Sequence, residues 1–310
     1  MYDSVGLWIE KDMVGNYDLP TIANRLNEIS KHESKYGFNI SGALKNLKVS
    51  IYETGVSVKG SIAKFHLNDN LQTLTRSGTN EAIEHLSDAL GLPMDKAKVT
   101  AIDLATHFIM KYPPNYYYPF LGDKKYYTRL QASTDTLYYN TKPKQLIFYD
   151  KSLEATSKKV EIPNIYQNVN LLRYEIRHKG QLNKQFNIFE VTGATLSNEK
   201  FYMDIMNRWV KEYMNIQKIQ RFTLQNVGNM KTPNDAIEMI FGMLLLKTGQ
   251  SEIDFIINDL KTKNAFSDPK YYSRVKAKIK DIMNKPEITE KSDLIKELDQ
   301  NVKQIIQYYR

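Results

Sequence analysis

The stretch VNLLRYEIRHKG, residues 169–180, decides how this chain folds. Its residues alternate with a period of two, the mark of a β-strand whose successive side chains point to opposite sides. Leu172, Tyr174 and Ile176 face one way, and Arg173, Glu175 and Arg177 face the other. A face made wholly of charges has two readings: a solvated surface laced with opposite charges, or one wall of a site. Two further stretches divide in the same manner. In VTAIDLATHF (99–108) Ile102 and Leu104 are core-like, while Asp103 stands alone between the small Ala101 and Ala105. In KPKQLIFYDKSLE (142–154) Leu146, Phe148 and Asp150 share one face, and Gln145, Ile147, Tyr149 and Lys151 share the other. Paired in one sheet, the three strands project Asp103, Glu175, Tyr149 and Lys151 from one side, with helices packed on the opposite side.

Outward from these strands the pattern is mixed. LKVSIYETGVSVKGSIAKFH (47–66) reads as a hairpin that turns at Thr54 and Gly55 and carries Ser57, Lys59 and Ser61 on one face. TNEAIEHLSDALGLP (79–93) reads as a helix capped by Thr79, with Ala82, Leu86 and Leu90 on one side and a stop at Gly91 and Pro93. DTLYYN (135–140) and QLIFYDK (145–151) flank TKPK as a second hairpin. From Asn198 the period changes to about 3.6, and Phe201, Ile205, Trp209, Tyr213 and Ile216 mark a long amphipathic helix. TLQNVGNMKTPND (223–235) reads as a linker, and amphipathic helices follow it to the end of the chain. The division expected is a strand-rich domain over residues 1–222 and a helical domain over 233–310.

Composition narrows the function. The 310 residues, 42% of them apolar, are enough for a real core, and the formal charge of +8 favours a polyanionic partner such as nucleic acid. The absence of cysteine excludes disulfides, thiolate zinc sites and cysteine nucleophiles, and suits a reducing cytoplasm. No export signal opens the sequence, and the greasiest run, AIEMIFGMLLL (236–246), is too short to span a bilayer. A cytoplasmic protein with no membrane partner is expected.

The charged strand faces have a chemical use. Two carboxylates from neighbouring strands form a hard-oxygen site suited to Mg²⁺ or Mn²⁺, an ion that polarises a phosphodiester as a Lewis acid. A tyrosine on the same face can then attack phosphorus in line and free a 3′-hydroxyl. An unperturbed phenol titrates near pH 10, so the metal, Lys151 or the Arg173–Arg177 pair must favour the phenolate. The plainer readings are that Tyr149 packs as any strand tyrosine does, that Asp103 neutralises an arginine, and that water is the nucleophile. The five histidines show no metal-binding spacing, with His66 and His107 the two placed to complete a site. Lys59 and Lys64, in VKGSIAKF, are candidates to hold a phosphate backbone, as are Arg173 and Arg177.

Taken in order and at these separations, VTAIDLATHF, LIFYDKSLE and LLRYEIRHKGQLNKQF resemble the replication initiators of filamentous phages, the gene II/gene X family, with plasmid and prophage relatives. More distantly they resemble plasmid rolling-circle initiators with an RID, YDK and R(Y/F)E pattern. The likeness covers roughly residues 40 to 220. It implies a palm-like antiparallel sheet with helices on one face, α+β in class, related to the HUH endonucleases and followed by the smaller all-α domain. It implies origin-specific nicking and joining of one DNA strand through a 5′-phosphotyrosine, with Tyr149 as nucleophile and Asp103 and Glu175 as metal ligands. Tyr139 is the reserve nucleophile. Two departures stand out: Ala101 occupies the place of the RID arginine, and no His-hydrophobe-His motif is present. The function expected is a rolling-circle replication initiator working on origin DNA with a host helicase and polymerase, its helical tail binding DNA or self-associating. The alternatives are an inactive sequence-specific DNA-binding protein and a water-using metal nuclease.

Overall fold

The computed structural model describes residues 1–15, 18–34, 37–160, 162–222, 232–248, 250–283 and 289–308. Ten strands form one antiparallel sheet: β1 (Tyr2–Glu10), β2 (Asn27–Ser34), β3 (Gly37–Leu44), β4 (Leu47–Tyr52), β5 (Gly55–Ser61), β6 (Lys98–Met110), β7 (Thr128–Ser133), β8 (Thr136–Asn140), β9 (Lys144–Asp150) and β10 (Asn170–Lys179). Their spatial order is β2-β3-β4-β5-β1-β6-β10-β9-β8-β7. Two meanders therefore form the flanks. The centre is made by long-range pairing, with β1 lying between β5 and β6, and β10 between β6 and β9.

One face of this sheet carries the core. Leu104, Ile176 and Leu146 lie side by side on β6, β10 and β9, and the next pair along, Phe148 and Tyr174, stacks with ring centroids 4.5 Å apart. Helix α7 (Glu199–Met214), capped by Asn198, covers them with Trp209 and Tyr213. Under the other half of the sheet lie Val49, Ile51, Val56 and Val58, all buried, on the side of α1 (Leu19–Ala23), α2 (Ile62–Leu67) and α3 (Arg76–Leu90). The short helices α5 (Leu182–Phe186) and α6 (Gly193–Ser197) complete this layer, α6 contacting α3 and α7. Among the described residues the opposite face is covered at one end, by α4 (Lys151–Ser157) and the segment around Asn70. The α+β class and the antiparallel sheet with helices massed on one face are as expected.

Several boundaries differ from the sequence reading. The first hairpin turns one residue earlier than expected, at Glu53 and Thr54, with Gly55 already in β5 and paired with Tyr52, and β5 stops at Ser61. Ser61 then caps α2, so Lys64 lies on a helix and not on the strand that bears Lys59. Helix α3 begins at Arg76, because Thr75 and not Thr79 takes the capping bond from Gly78; the Thr79 hydroxyl donates to the Thr75 carbonyl instead. Its far end is as expected, with Gly91 left-handed at φ +65°. The sequence reading also passed over β1, which occupies the middle of the sheet.

The chain divides into two compact units: Met1–Gln217 with Glu297–Arg310, and Lys218–Lys296. The expected linker falls mostly on residues outside those described. In the second unit β11 (Gln220–Phe222) pairs with β12 (Thr289–Lys291). Its helices are α8 (Pro233–Lys247), α9 (Gln250–Thr262) and α10 (Lys270–Met283), with a small core of Leu245, Ile253, Ile257 and Ile282. The last helix, α11 (Asp293–Tyr308), begins there, but from Glu297 onward it belongs to the sheet-bearing unit. Glu297 accepts from the Lys111 amide and the Tyr117 hydroxyl, and Asp299 from the Tyr213 hydroxyl. The end of the segment expected as a separate helical domain is thus part of the first unit. No helix among the described residues is long and apolar enough to cross a membrane.

Candidate active site

Strand pairing sets the site residues out in rows across β9, β10 and β6. Tyr149, Arg173 and His107 are partners in one row; Ile147, Glu175 and Ala105 in the next; Gln145, Arg177 and Asp103 in the third. Cross-strand partners share a face, so Tyr149, Glu175 and Asp103 project from the side opposite Tyr174 and the core. Ala105 in the middle row leaves space between the flanking side chains.

The Tyr149 hydroxyl makes a long contact, 3.4 Å, to one oxygen of Glu175. The other oxygen of Glu175 takes a short bond, 2.6 Å, from Arg177 Nε, which also lies 3.9 Å from Asp103. Arg177 therefore stands between the two acids as their counter-ion. It supplies from β10 a cation beside Asp103, close to where Ala101 lacks the arginine of the RID pattern. Arg173 is 1% exposed and reaches Asp3 at 2.8 Å and the Asn70 carbonyl at 2.8 Å. Its Nε is 3.8 Å from Glu175, too far for a hydrogen bond, and is a buried donor with no hydrogen-bond partner among the described residues. His107 Nδ1 is a second such atom, its ring meeting Tyr166 edge-on at 4.9 Å.

Burial dominates the protonation of this cluster. It pushes the Tyr149 hydroxyl well above the usual phenol range; Arg173 opposes that, and Glu175, Glu154 and Asp3 reinforce it. Asp103 is raised to about 7 by burial and then by the charge of Glu175, against the pull of Arg177. His107 is pushed down to about 4 by burial and by Arg173 and Lys151, and so is neutral. Two crowded acids, one of them lifted this far, are a donor set of the kind a divalent cation takes up.

Among the described residues no three acids or imidazoles converge as a ligand group. Mg²⁺ commonly uses one or two carboxylates and completes its shell with substrate phosphate and water, and Asp103 with Glu175 fit that pattern once Arg177 moves to the phosphate. Asp3, the third acid on this face, is already held by Arg173 and by the Ser61 hydroxyl at 2.8 Å.

The remaining expectations fare unequally. Lys151 is not on the strand: β9 ends at Asp150, whose carboxylate accepts from the Leu153 amide and caps α4. Lys151 is buried at the start of that helix, bonded to Glu154 at 2.6 Å and Asn70 at 3.0 Å, with no bond to Tyr149. Tyr139 lies on the core face, fully buried, its hydroxyl given to the carbonyls of Leu121 and Gly122, which removes it as a nucleophile. His66 is away from the cluster, 3.7 Å from Glu81. Lys59 is exposed on the same sheet face as Asp103, two strands away, where Gly6 joins it to Ala101. Asp3 lies on β1, which the sequence reading does not take up as a strand. The pairing of β1 with β6 slips between Tyr2 and Val5, so both face the core and Asp3 is turned to the site.

Residues 1–211 match the family model for the N-terminal part of the phage gene II replication-associated protein. No curated protein matches the chain.

Proposed function

Because the chain belongs to the phage replication-associated protein family, that of filamentous-phage gene II-type rolling-circle initiators, we propose that its sheet-bearing unit nicks and rejoins one strand of origin DNA through Tyr149. The observation that carries this reading is the Tyr149 hydroxyl turned on to Glu175, with Arg173, Arg177 and Asp103 around it. A buried phenol needs a proton acceptor in contact, and Glu175, steadied by Arg177, is that acceptor. As the Tyr149 oxygen bonds to phosphorus, the bond to the 3′ oxygen breaks and the phenolic proton passes to Glu175. The 5′ phosphate stays on the tyrosine, and the 3′ oxygen takes a proton from solvent. Arg173 Nε, buried and without a hydrogen-bond partner among the described residues, is a donor for a non-bridging phosphate oxygen. A Mg²⁺ or Mn²⁺ ion held by Asp103 and Glu175 would supply Lewis-acid polarisation of the phosphodiester. Rejoining is the reverse attack by the 3′-hydroxyl. Between the two steps that hydroxyl primes a polymerase, with a helicase to open the duplex ahead, and both are partners a host would supply.

The test is incubation of the intact protein with supercoiled origin DNA and Mg²⁺ or Mn²⁺. The expected products are a nicked circle and a covalent protein–DNA adduct, both reduced to background by Tyr149→Phe. Nicking by Tyr149→Phe without adduct would replace this reading with water attack. Origin binding without any nicking would replace it with a DNA-binding role.

A further inference from the structure

On the far half of the sheet the strands alternate cleanly. Val49, Ile51, Val56 and Val58 are buried beneath, while Lys48, Tyr52 and Lys59 are exposed above, with Ser50 and Ser57 between them. Strand register carries this upper face to the candidate active site. Lys48 pairs with Lys59, Lys59 with Gly6, Gly6 with Ala101 and Ala101 with Lys179, one row across five strands. Its ends are cationic and its middle is a floor of small residues. The three lysines are exposed and have no carboxylate within ion-pair distance among the described residues. Lys179 is two residues from Arg177 on the same face, so the row borders the site directly.

An aromatic pair closes the other end. Trp8, on the same face as Gly6, meets Tyr52 with ring centroids 5.8 Å apart at 50°. The indole lies across the hairpin at Gly55, where an added Cβ would come within 2.8 Å of Trp8 Cζ2 and 2.3 Å of the Ile9 carbonyl. Only glycine keeps this ring in place. By strand spacing and rise, Trp8 is about 30 Å from Tyr149.

We propose that this face is a track for single-stranded DNA, leading from Tyr149 over Gly6 and Ala101, past Lys59, Lys48 and Lys179, to a base-stacking step on Trp8 and Tyr52. The proposal rests on the nicking function above and extends it to residues outside the catalytic cluster. Charge complementarity and continuity with the cluster commit the face to a polyanion. The aromatic end selects unpaired bases, because only these offer a free π-face, while a duplex presents its phosphates and edges.

Tryptophan fluorescence tests this in the intact protein. The chain has two tryptophans, and Trp209 is fully buried, so an added oligothymidylate reports on Trp8. We expect it to quench the emission, and the duplex form of the same length to leave it unchanged. Tyr52→Leu should weaken oligothymidylate binding about tenfold. Lys48→Gln with Lys59→Gln should lower the slope of log affinity against log salt by about 1.4. Circular dichroism of each variant verifies the fold. An unquenched wild type, equal quenching by duplex, or folded variants with unchanged affinity and salt slope would overturn the track. The adduct assay run on the same proteins separates the two readings: adduct without quenching sinks the track alone, and quenching without adduct sinks the nicking function alone.

Discussion

Arg173 joins three strands and one loop through a single guanidinium: it sits on β10, binds Asp3 on β1 and the Asn70 carbonyl, and faces Tyr149 on β9. Removing one partner of a buried ion pair costs about 3–5 kcal/mol, because the survivor keeps its desolvation penalty. Arg173→Ala is therefore expected to lower stability by about 3 kcal/mol in urea titration, and Asp3→Asn on top of it to restore part of the loss. His178 makes a different prediction. Burial holds its imidazole at about 4, below the usual 6.5, although the Gln185 amide oxygen accepts from Nδ1 and pulls the other way. The unfolded chain thus binds a proton that the folded chain refuses between these values. Stability is complete above pH 6.5 and falls as pH drops through about 4, by on the order of 3 kcal/mol for a full shift of this size. Thermal melts across that window should show a shallower fall for His178→Gln than for the parent protein; His107 and the buried Met1 amine, both lowered to about 4, add to the fall, and Asp103, raised to about 7, opposes it.

At the scale of elements, the junction of β9 and α4 explains the run of tyrosine, acid and lysine in LIFYDKSLE. Tyr149 is the last strand residue on the site face, Asp150 is the cap, and Lys151 is the first helical residue. Replacing such a cap by alanine costs about 1 kcal/mol, so Asp150→Ala should lower the melting temperature by a few degrees and Asp150→Asn by much less. Strand parity extended one residue past Asp150 sets Lys151 beside Tyr149, whereas the helix begins there. Parity worked wherever pairing was regular: it set Asp103, Tyr149 and Glu175 on one face. The sequence reading does not take up β1, and the slip between Tyr2 and Val5 would break a period of two there. Nor does local pattern tell whether a charged face is wet. Arg173 is held under a segment far earlier in the chain, where it donates to the Asn70 carbonyl.

For the whole molecule, the return of the C-terminal helix sets where the first unit ends. Leu298 and Val302 are fully buried, and Glu297 and Asp299 take the hydroxyls of Tyr117 and Tyr213. Deleting residues 297–310 exposes that apolar surface and removes the carboxylates that accept from the Tyr117 and Tyr213 hydroxyls. The deleted protein is expected to melt several degrees lower, by calorimetry, than the intact chain. A cut at residue 222, which the linker-like sequence invites, would carry the same defect. Two long-range insertions, β1 and β10, also make the sheet costly to close, since non-local pairs form only after long loops are ordered. During synthesis β6 and β9, bearing Asp103 and Tyr149, leave the ribosome before β10. In the folded sheet β10 lies between them and brings Glu175 and the two arginines. On the function proposed above, a chain that has not yet placed β10 would hold Tyr149 without Glu175, Arg173 or Arg177 beside it, and the site would be completed only with the last strand of the sheet.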